Sequence, residues 1–208
     1  MKNDNDYIKE ISEIRSMMER SSRFLSLSGL SGVMAGIYAL SGALIAFFVF
    51  GFNPDSYTYV VSGGAGSGAK LSSVITVAVV ILSLALGTVI YLSRRNAGRR
   101  GEKIWSSTTR RLLVNMLVPL SAGGLLIVIL VAKGFVGLAA PLSMIFYGLA
   151  LFTASKMTLE EVKLMGIIQI SLGLVATIVV QYSLIIWAIG FGLVNIIYGI
   201  YMHYKYER

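Results

Sequence analysis

The sequence predicts an all-α polytopic membrane protein: six transmembrane helices in a compact antiparallel bundle, preceded by an amphipathic helix. Six apolar runs contain none of the chain's 18 basic and 10 acidic residues. The chain is 56% hydrophobic and 13% charged, whereas soluble proteins are about 25% charged. A charge in the hydrocarbon core of a bilayer costs several kcal/mol, and a spanning helix needs about 20 apolar residues. These runs therefore have the length and composition of membrane spans.

The charges between the runs predict the orientation. The expected spans are 28–50, 71–92, 112–132, 135–155, 164–181 and 184–203, leaving a tail at 204–208. Of the 18 basic residues, 16 lie in the first segment, the second and fourth connections and the tail. The alternate connections contain only Lys70 and Lys133. Since basic loops stay in the cytoplasm, both termini are expected there. The mixed charges of residues 1–27 argue against a cleavable signal peptide.

Residues 1–27 form the predicted amphipathic arm. Apolar residues recur there every three to four positions, and oppositely charged residues are paired four positions apart, as in Lys9 with Glu13. Such a helix fits the membrane surface. The alternative is a short coiled coil or a contact for a partner.

The second connection is strongly basic around Trp105, and its pattern is typical of a headgroup anchor. We expect contacts with anionic lipid from Arg94, Arg95, Arg99, Arg100, Lys103, Arg110 and Arg111. A specific nucleotide site is the alternative. The net charge of +8 is explained by this distribution of basic residues, so no nucleic-acid partner is expected.

Local motifs predict how the helices begin and end. Lys133-Gly134 and the segment 181–183 are short enough to force tight helical hairpins. Thr158 and Glu161 have the spacing of a capping box for the fifth helix. The glycine-rich segment 63–70 is not a phosphate loop, because Ala69 separates the last glycine from Lys70.

Small residues and prolines predict how the helices pack. Gly32 and Gly36 in the first span, and Gly192 and Gly199 in the sixth, allow close approach of helix backbones. The contact is expected within the chain or, alternatively, between copies in a homo-oligomer. Pro119 and Pro141 are expected to bend the third and fourth helices.

Three amides lie well within the spans: Asn115, Gln169 and Asn195. In hydrocarbon each needs a hydrogen-bond partner, and interhelical bonding is the simplest explanation. The alternative is a polar pocket that these amides line together with Tyr147 and Tyr198.

No catalytic constellation is recognisable in the spans. They contain no carboxylate pair, no metal-binding cluster and no nucleophile–base dyad, and the chain has no cysteine and one histidine. Neither an enzyme activity nor a cofactor or metal is therefore expected. The absence of intramembrane charge also disfavours ion-coupled transport. Two functions remain. The first is an organising, sensing or accessory membrane protein, and the second is a channel or carrier for a small uncharged or lipid-like molecule.

Two stretches resemble a group of uncharacterised bacterial six-helix integral membrane proteins. They are Met17–Gly32 with Ala35–Leu40, and Trp187–Gly192 through Gly199, with Tyr147–Leu151 between them. The resemblance implies a bacterial inner-membrane location and brings no activity with it.

Overall fold

A computed structural model describes residues 29–52, 67–100 and 107–206. The predicted amphipathic arm lies outside the described residues. Everything described is helix or short connection, with no strand in these ranges. Six helices are long and apolar enough to cross a membrane, which confirms the all-α polytopic class.

The helices follow the chain in order. The first span consists of α1 (Gly29–Leu44) and a π-helical turn, Ile45–Val49. Next come α2 (Ser67–Arg100) and α3 (Ser107–Ala132). A 3₁₀ turn (Val136–Leu138) leads into α4 (Ala139–Ala154), which precedes α5 (Glu160–Ile178). The sixth span is composite, with a 3₁₀ turn (Val180–Tyr182), α6 (Ser183–Trp187), a π-helical segment (Ala188–Val194) and α7 (Asn195–Tyr206).

The last two spans begin earlier than the hydropathy pattern predicted. Candidate spans cover Glu160–Ile178 and Val180–Lys205, and the chain turns at Val179 rather than at 181–183. The fifth helix starts early because its first turn contains Glu160 and Glu161. Carboxylates are stabilised at the positive N-terminal end of a helix. A search for apolar runs, however, leaves charged residues outside the span. A boundary drawn from apolar character alone therefore falls inside the helix.

The turn between α3 and α4 is a glycine-terminated hairpin. Gly134 has φ +90°, the left-handed region. The N–H of Phe135 donates to the carbonyl of Leu130 at 2.9 Å, and the N–H of Gly134 donates to that of Val131 at 3.0 Å. These two bonds form a Schellman motif, in which a residue without Cβ is favoured at the left-handed position.

Gly134→Ala is expected to lower the free energy of unfolding by about 1 kcal/mol, because a Cβ is strained at positive φ. Equilibrium unfolding in mixed detergent–SDS micelles, followed by circular dichroism, measures the change. Gly124→Ala in α3 is the matched control, since no atom lies within 4 Å of a Cβ built there. Equal losses in the two variants would contradict the role of the turn.

The capping box predicted for α5 is wrong. The N-cap residue is Leu159, and no side chain caps it. The Thr158 hydroxyl instead donates to the carbonyl of Ala154 at 3.0 Å, at the end of α4. Thr158 thus lies one residue too early to cap α5, and it closes the preceding turn.

The two prolines occupy different positions in their helices. Pro119 lies inside α3, which continues as helix on both sides of it. Pro141 lies in the first turn of α4, where an N–H would have no intrahelical acceptor. Pro141 therefore removes no helical hydrogen bond, so the reason for expecting it to bend the fourth helix does not apply at this position.

Packing is uneven around the bundle. α1 packs on α2 and on the sixth span, whereas α4 packs on α3, α5 and the sixth span. α2 and α3 are the outer helices: 0% of the residues in the most apolar stretch of α2, and 6% of those in α3, are fully buried within the chain. A buried cluster joins α4, α5 and α7, and it consists of Leu151, Leu159, Val162, Met165 and Met202. The core therefore lies in the second half of the chain and at the contact of α1 with the sixth span.

Candidate functional site

The best-defined polar site surrounds the π-helical segment Ala188–Val194. The Gln169 amide on α5 donates from Nε2 to the carbonyl of Gly190 at 2.8 Å. Asn195 donates from Nδ2 to the carbonyl of Phe191, also at 2.8 Å. Backbone hydrogen bonds change register where a π turn meets an α-helix, and inside a membrane nearby groups must bond the affected carbonyls. Two buried amides thus serve two consecutive carbonyls; we call this arrangement the π-site.

Close packing fixes the position of Gln169. Gln169 and Met144 are both fully buried, at 0% exposure. A Cβ added to Gly190 would lie 2.8 Å from Oε1 of Gln169, closer than real Cβ contacts allow. Glycine at position 190 is therefore what lets the amide reach the backbone of the sixth span.

Aromatic rings form one wall of the π-site. Phe191 lies between Tyr147 and Trp187, with ring centroids 5.0 Å away on both sides. The indole Nε1 of Trp187 donates to Oγ of Ser143 at 3.1 Å, and that hydroxyl donates to the carbonyl of Ala140 at 2.7 Å. The polar groups of Trp187 and Ser143 are bonded to the protein, so this part of the wall is closed.

Two polar atoms, one on α5 and one in the sixth span, have no hydrogen-bond partner among the described residues. They are Oε1 of Gln169 and Oγ of Ser183, and both side chains are fully buried. A buried polar atom that lacks a partner costs about 1–3 kcal/mol. Both atoms can accept a hydrogen bond, and the hydroxyl can also donate one. Either atom can therefore bond an N–H or O–H group of a small neutral molecule.

The five residues predicted to line a polar pocket are only partly brought together. Gln169, Asn195 and Tyr147 belong to the π-site. Tyr198 packs, as Tyr147 also does, against the buried cluster of Leu151 and Met202. Asn115 is exposed on α3. No hydrogen bond joins it to either buried amide within the described part of the chain.

The four glycines predicted to pack helices lie between α1 and the sixth span. A Cβ on Gly36 would lie 2.7 Å from the carbonyl oxygen of Gly192, and one on Gly32 would lie 3.3 Å from Cα of Gly199. Gly192 itself faces Leu40 of α1. The described contact is therefore within one chain.

A second glycine interface joins α4 and α5 and was not predicted from the sequence. Gly148 on α4 and Gly166 on α5 face each other, and a Cβ on Gly148 would lie 2.6 Å from the carbonyl oxygen of Gly166. Gly173 makes a similar approach to the carbonyl of Pro141. Gly166 and Gly173 are seven residues apart on one helix face, and this spacing is the signal that was available.

Four of the predicted lipid-contact residues lie at one end of the bundle. Arg94 and Arg95 are exposed near the end of α2, and Arg110 and Arg111 are exposed near the start of α3. None of the four has an ion pair with a described residue. Three further members of the predicted set, Arg99, Arg100 and Lys103, lie outside the residues whose side chains are described.

The same end has one inter-span ion pair among the described residues, between Lys205 of α7 and Glu161 of α5. Lys205 also donates to the hydroxyl of Tyr201 at 3.0 Å. Glu161 therefore ties the ends of two spans together instead of closing a capping box. Within the described ranges no three His, Cys, Asp or Glu residues are grouped so that they could hold a metal ion.

Comparison of the chain with models of protein families, with curated proteins and with solved structures gave no match. The resemblance to bacterial six-helix membrane proteins therefore stays a prediction.

Proposed function

We propose that the protein is a non-enzymatic component of the bacterial inner membrane that organises, senses or assists other membrane components. Both termini and the arginine-rich end of the bundle would face the cytoplasm. The observation that carries the proposal is the use of the intramembrane amides. Gln169 and Asn195 both donate to backbone carbonyls of the sixth span, so their donor groups serve the helix rather than a transport path.

The outer helices add support. Few residues of α2 and α3 are fully buried and each packs extensively on one other span, which leaves both helices available for lateral contacts in the bilayer. The amphipathic arm predicted at 1–27 would supply a second contact surface on the cytoplasmic side. Lateral contacts together with a cytoplasmic contact are what an organising protein needs.

Crosslinking in native membranes tests this role. A photoreactive residue at exposed Val79 of α2 is expected to recover defined membrane proteins in the full chain, and the set should change when residues 1–24 are deleted. The matched probe at exposed Leu125 of α3 reports on the other outer helix. Crosslinks to lipid alone at both positions, unchanged by the deletion, would contradict an organising role.

A second candidate function has an observation in its favour. The unpartnered Oε1 of Gln169 and Oγ of Ser183 suit a channel or carrier for a small uncharged molecule, whether the chain acts alone or as a homo-oligomer.

Solute entry into proteoliposomes separates the two functions. In light-scattering measurements with glycerol or urea as the solute, proteoliposomes are expected to be no more permeable than protein-free vesicles. A faster rate that Gln169→Leu abolishes would instead establish the carrier.

A further inference from the structure

The packing order places α2 and α3 at the two ends of a row of helices. α2 packs on α1, α1 on the sixth span, the sixth span on α4, and α4 on α3. α2 and α3 share no extensive contact. With about 8–10 Å per helix–helix step, a straight row of these spans would separate α2 from α3 by roughly 32–40 Å.

The chain itself forbids that separation at the arginine-rich end. α2 ends at Arg100 and α3 begins at Ser107. Seven peptide units can span at most about 25 Å even when fully extended. The row therefore curves at this end, which leaves a gap between α2 and α3, two helices that share no extensive contact. We call this gap, between the exposed faces of α2 and α3, the α2–α3 cleft.

The walls of the cleft are apolar and its end is basic. Exposed side chains near that end include Leu86 and Ile90 on α2 and Val114 and Leu117 on α3. Two pairs of exposed arginines lie at this end and define its rim, Arg94 with Arg95 near the end of α2 and Arg110 with Arg111 near the start of α3.

Nothing on these helices neutralises the rim. Neither α2 nor α3 contains an acidic residue, and Glu102 is the only one between Ser67 and Ala132. Guanidinium groups bind phosphate through paired hydrogen bonds, and the positive N-terminal end of α3 adds to the attraction. A site with apolar walls and a cationic rim is complementary to a molecule with acyl chains and a phosphate.

We propose that the α2–α3 cleft binds an anionic phospholipid of the cytoplasmic leaflet. Its acyl chains lie along α2 and α3, and its phosphate lies between the two arginine pairs. The bound lipid fills the space between two helices that do not pack on each other. This inference depends on the membrane orientation and not on either candidate function.

Lipid titration of the purified full-length protein, read out by native mass spectrometry, tests the site. Phosphatidylglycerol is the probe, phosphatidylcholine is the neutral comparison, and glycerol phosphate is the competitor without acyl chains. The wild type is expected to retain phosphatidylglycerol in preference to phosphatidylcholine, and glycerol phosphate should not displace it.

Charge-matched variants show whether the cleft is the site. Arg94→Gln/Arg95→Gln and Arg110→Gln/Arg111→Gln are each expected to weaken phosphatidylglycerol binding about tenfold or more. The control is Lys156→Gln/Lys163→Gln, which removes two charges at the same end but beside the α4–α5 connection; its effect should stay below about threefold. Equal effects of all three pairs, or displacement by glycerol phosphate, would overturn the proposal. An effect of one arginine pair alone would overturn the shared site.

The distance between spin labels on α2 and α3 tests the geometry of the cleft. The chain contains no cysteine, so two can be introduced for spin labelling without a background. Tyr91→Cys on α2 and Val114→Cys on α3 replace exposed residues near the arginine-rich end. The curved row predicts a label separation below roughly 30 Å, whereas a straight row gives roughly 32–40 Å. The longer separation would remove the cleft and with it the site.

Discussion

Gly199→Ala is expected to weaken the attachment of α1 to the sixth span by about 1–3 kcal/mol, because overpacking forces helices apart. A Cβ at this position would lie 2.5 Å from the carbonyl oxygen of Gly29 and 2.6 Å from the backbone nitrogen of Val33. Both are backbone atoms, so no side-chain rotation can relieve the contact. The two helices must therefore move apart at this contact.

The consequence extends beyond one helix pair. α2 packs on α1 and has no other extensive contact among the described elements. The first two spans therefore attach to the other four chiefly through the glycines that α1 and the sixth span share. Weakening this interface frees two spans together, which makes Gly199 the position where one added methyl group has the widest structural effect.

Gly87→Ala in α2 is the matched control. It makes the same chemical change in a membrane helix, but no atom lies within 4 Å of the added Cβ. Helix propensity favours alanine over glycine by about 1 kcal/mol, so the control should be neutral or slightly stabilising.

Two measurements check the prediction. The first is equilibrium unfolding in mixed detergent–SDS micelles, followed by tryptophan fluorescence. The second is the distance between spin labels at the exposed positions Ile37 and Ile197, which should broaden in Gly199→Ala and stay narrow in Gly87→Ala. Unchanged stability and distance in Gly199→Ala would mean that α1 does not approach the sixth span so closely.

The sequence predicts the spans well because the underlying physics is local. A charge in hydrocarbon is costly wherever its helix packs, so six uncharged runs are enough to find six helices. The glycines of α1 are also visible locally, since Gly32 and Gly36 are four residues apart on one face. Gly148 has no such neighbour within α4. Its partner is Gly166 on the next helix, and that pairing exists only once α4 and α5 have packed.

The candidate site also depends on contacts between helices that the local sequence does not predict. Asn115 and Gln169 are both amides within apolar runs, and nothing in the sequence pattern distinguishes them. The structure separates them because α5 is surrounded by α4 and the sixth span, whereas α3 has one extensive neighbour. Which helices have neighbours is decided by the whole fold. The π-helical segment could not be predicted from the sequence either, because Gly190 and Gly192 permit a close contact in any helix geometry.

Gln169→Ala is expected to lower the free energy of unfolding by about 2–4 kcal/mol. The substitution empties a fully buried volume and removes the donor that bonds the carbonyl of Gly190. Gln169→Met separates the effect of the emptied volume from that of the lost hydrogen bond, since methionine keeps most of the volume but cannot donate a hydrogen bond. Its loss should be about 1–2 kcal/mol, because the carbonyl is left without its donor while the acceptor Oε1 is also removed.

Asn115→Ala is expected to leave the free energy of unfolding unchanged or to raise it, in contrast to Gln169→Ala. The same amide chemistry is deleted, but Asn115 is exposed on α3, where the side chain faces hydrocarbon. Removing it should leave stability unchanged or raise it slightly, because an amide without a partner is unfavourable in lipid. Unfolding in the same mixed micelles compares the three variants directly. A large loss for Asn115→Ala would mean that α3 buries its amide against a surface outside the described helices, such as a second copy or a partner protein. Equal, small losses for all three would remove the Gln169 contact with the π-helical segment and, with it, the main argument that the polar groups of the spans serve the structure of the protein.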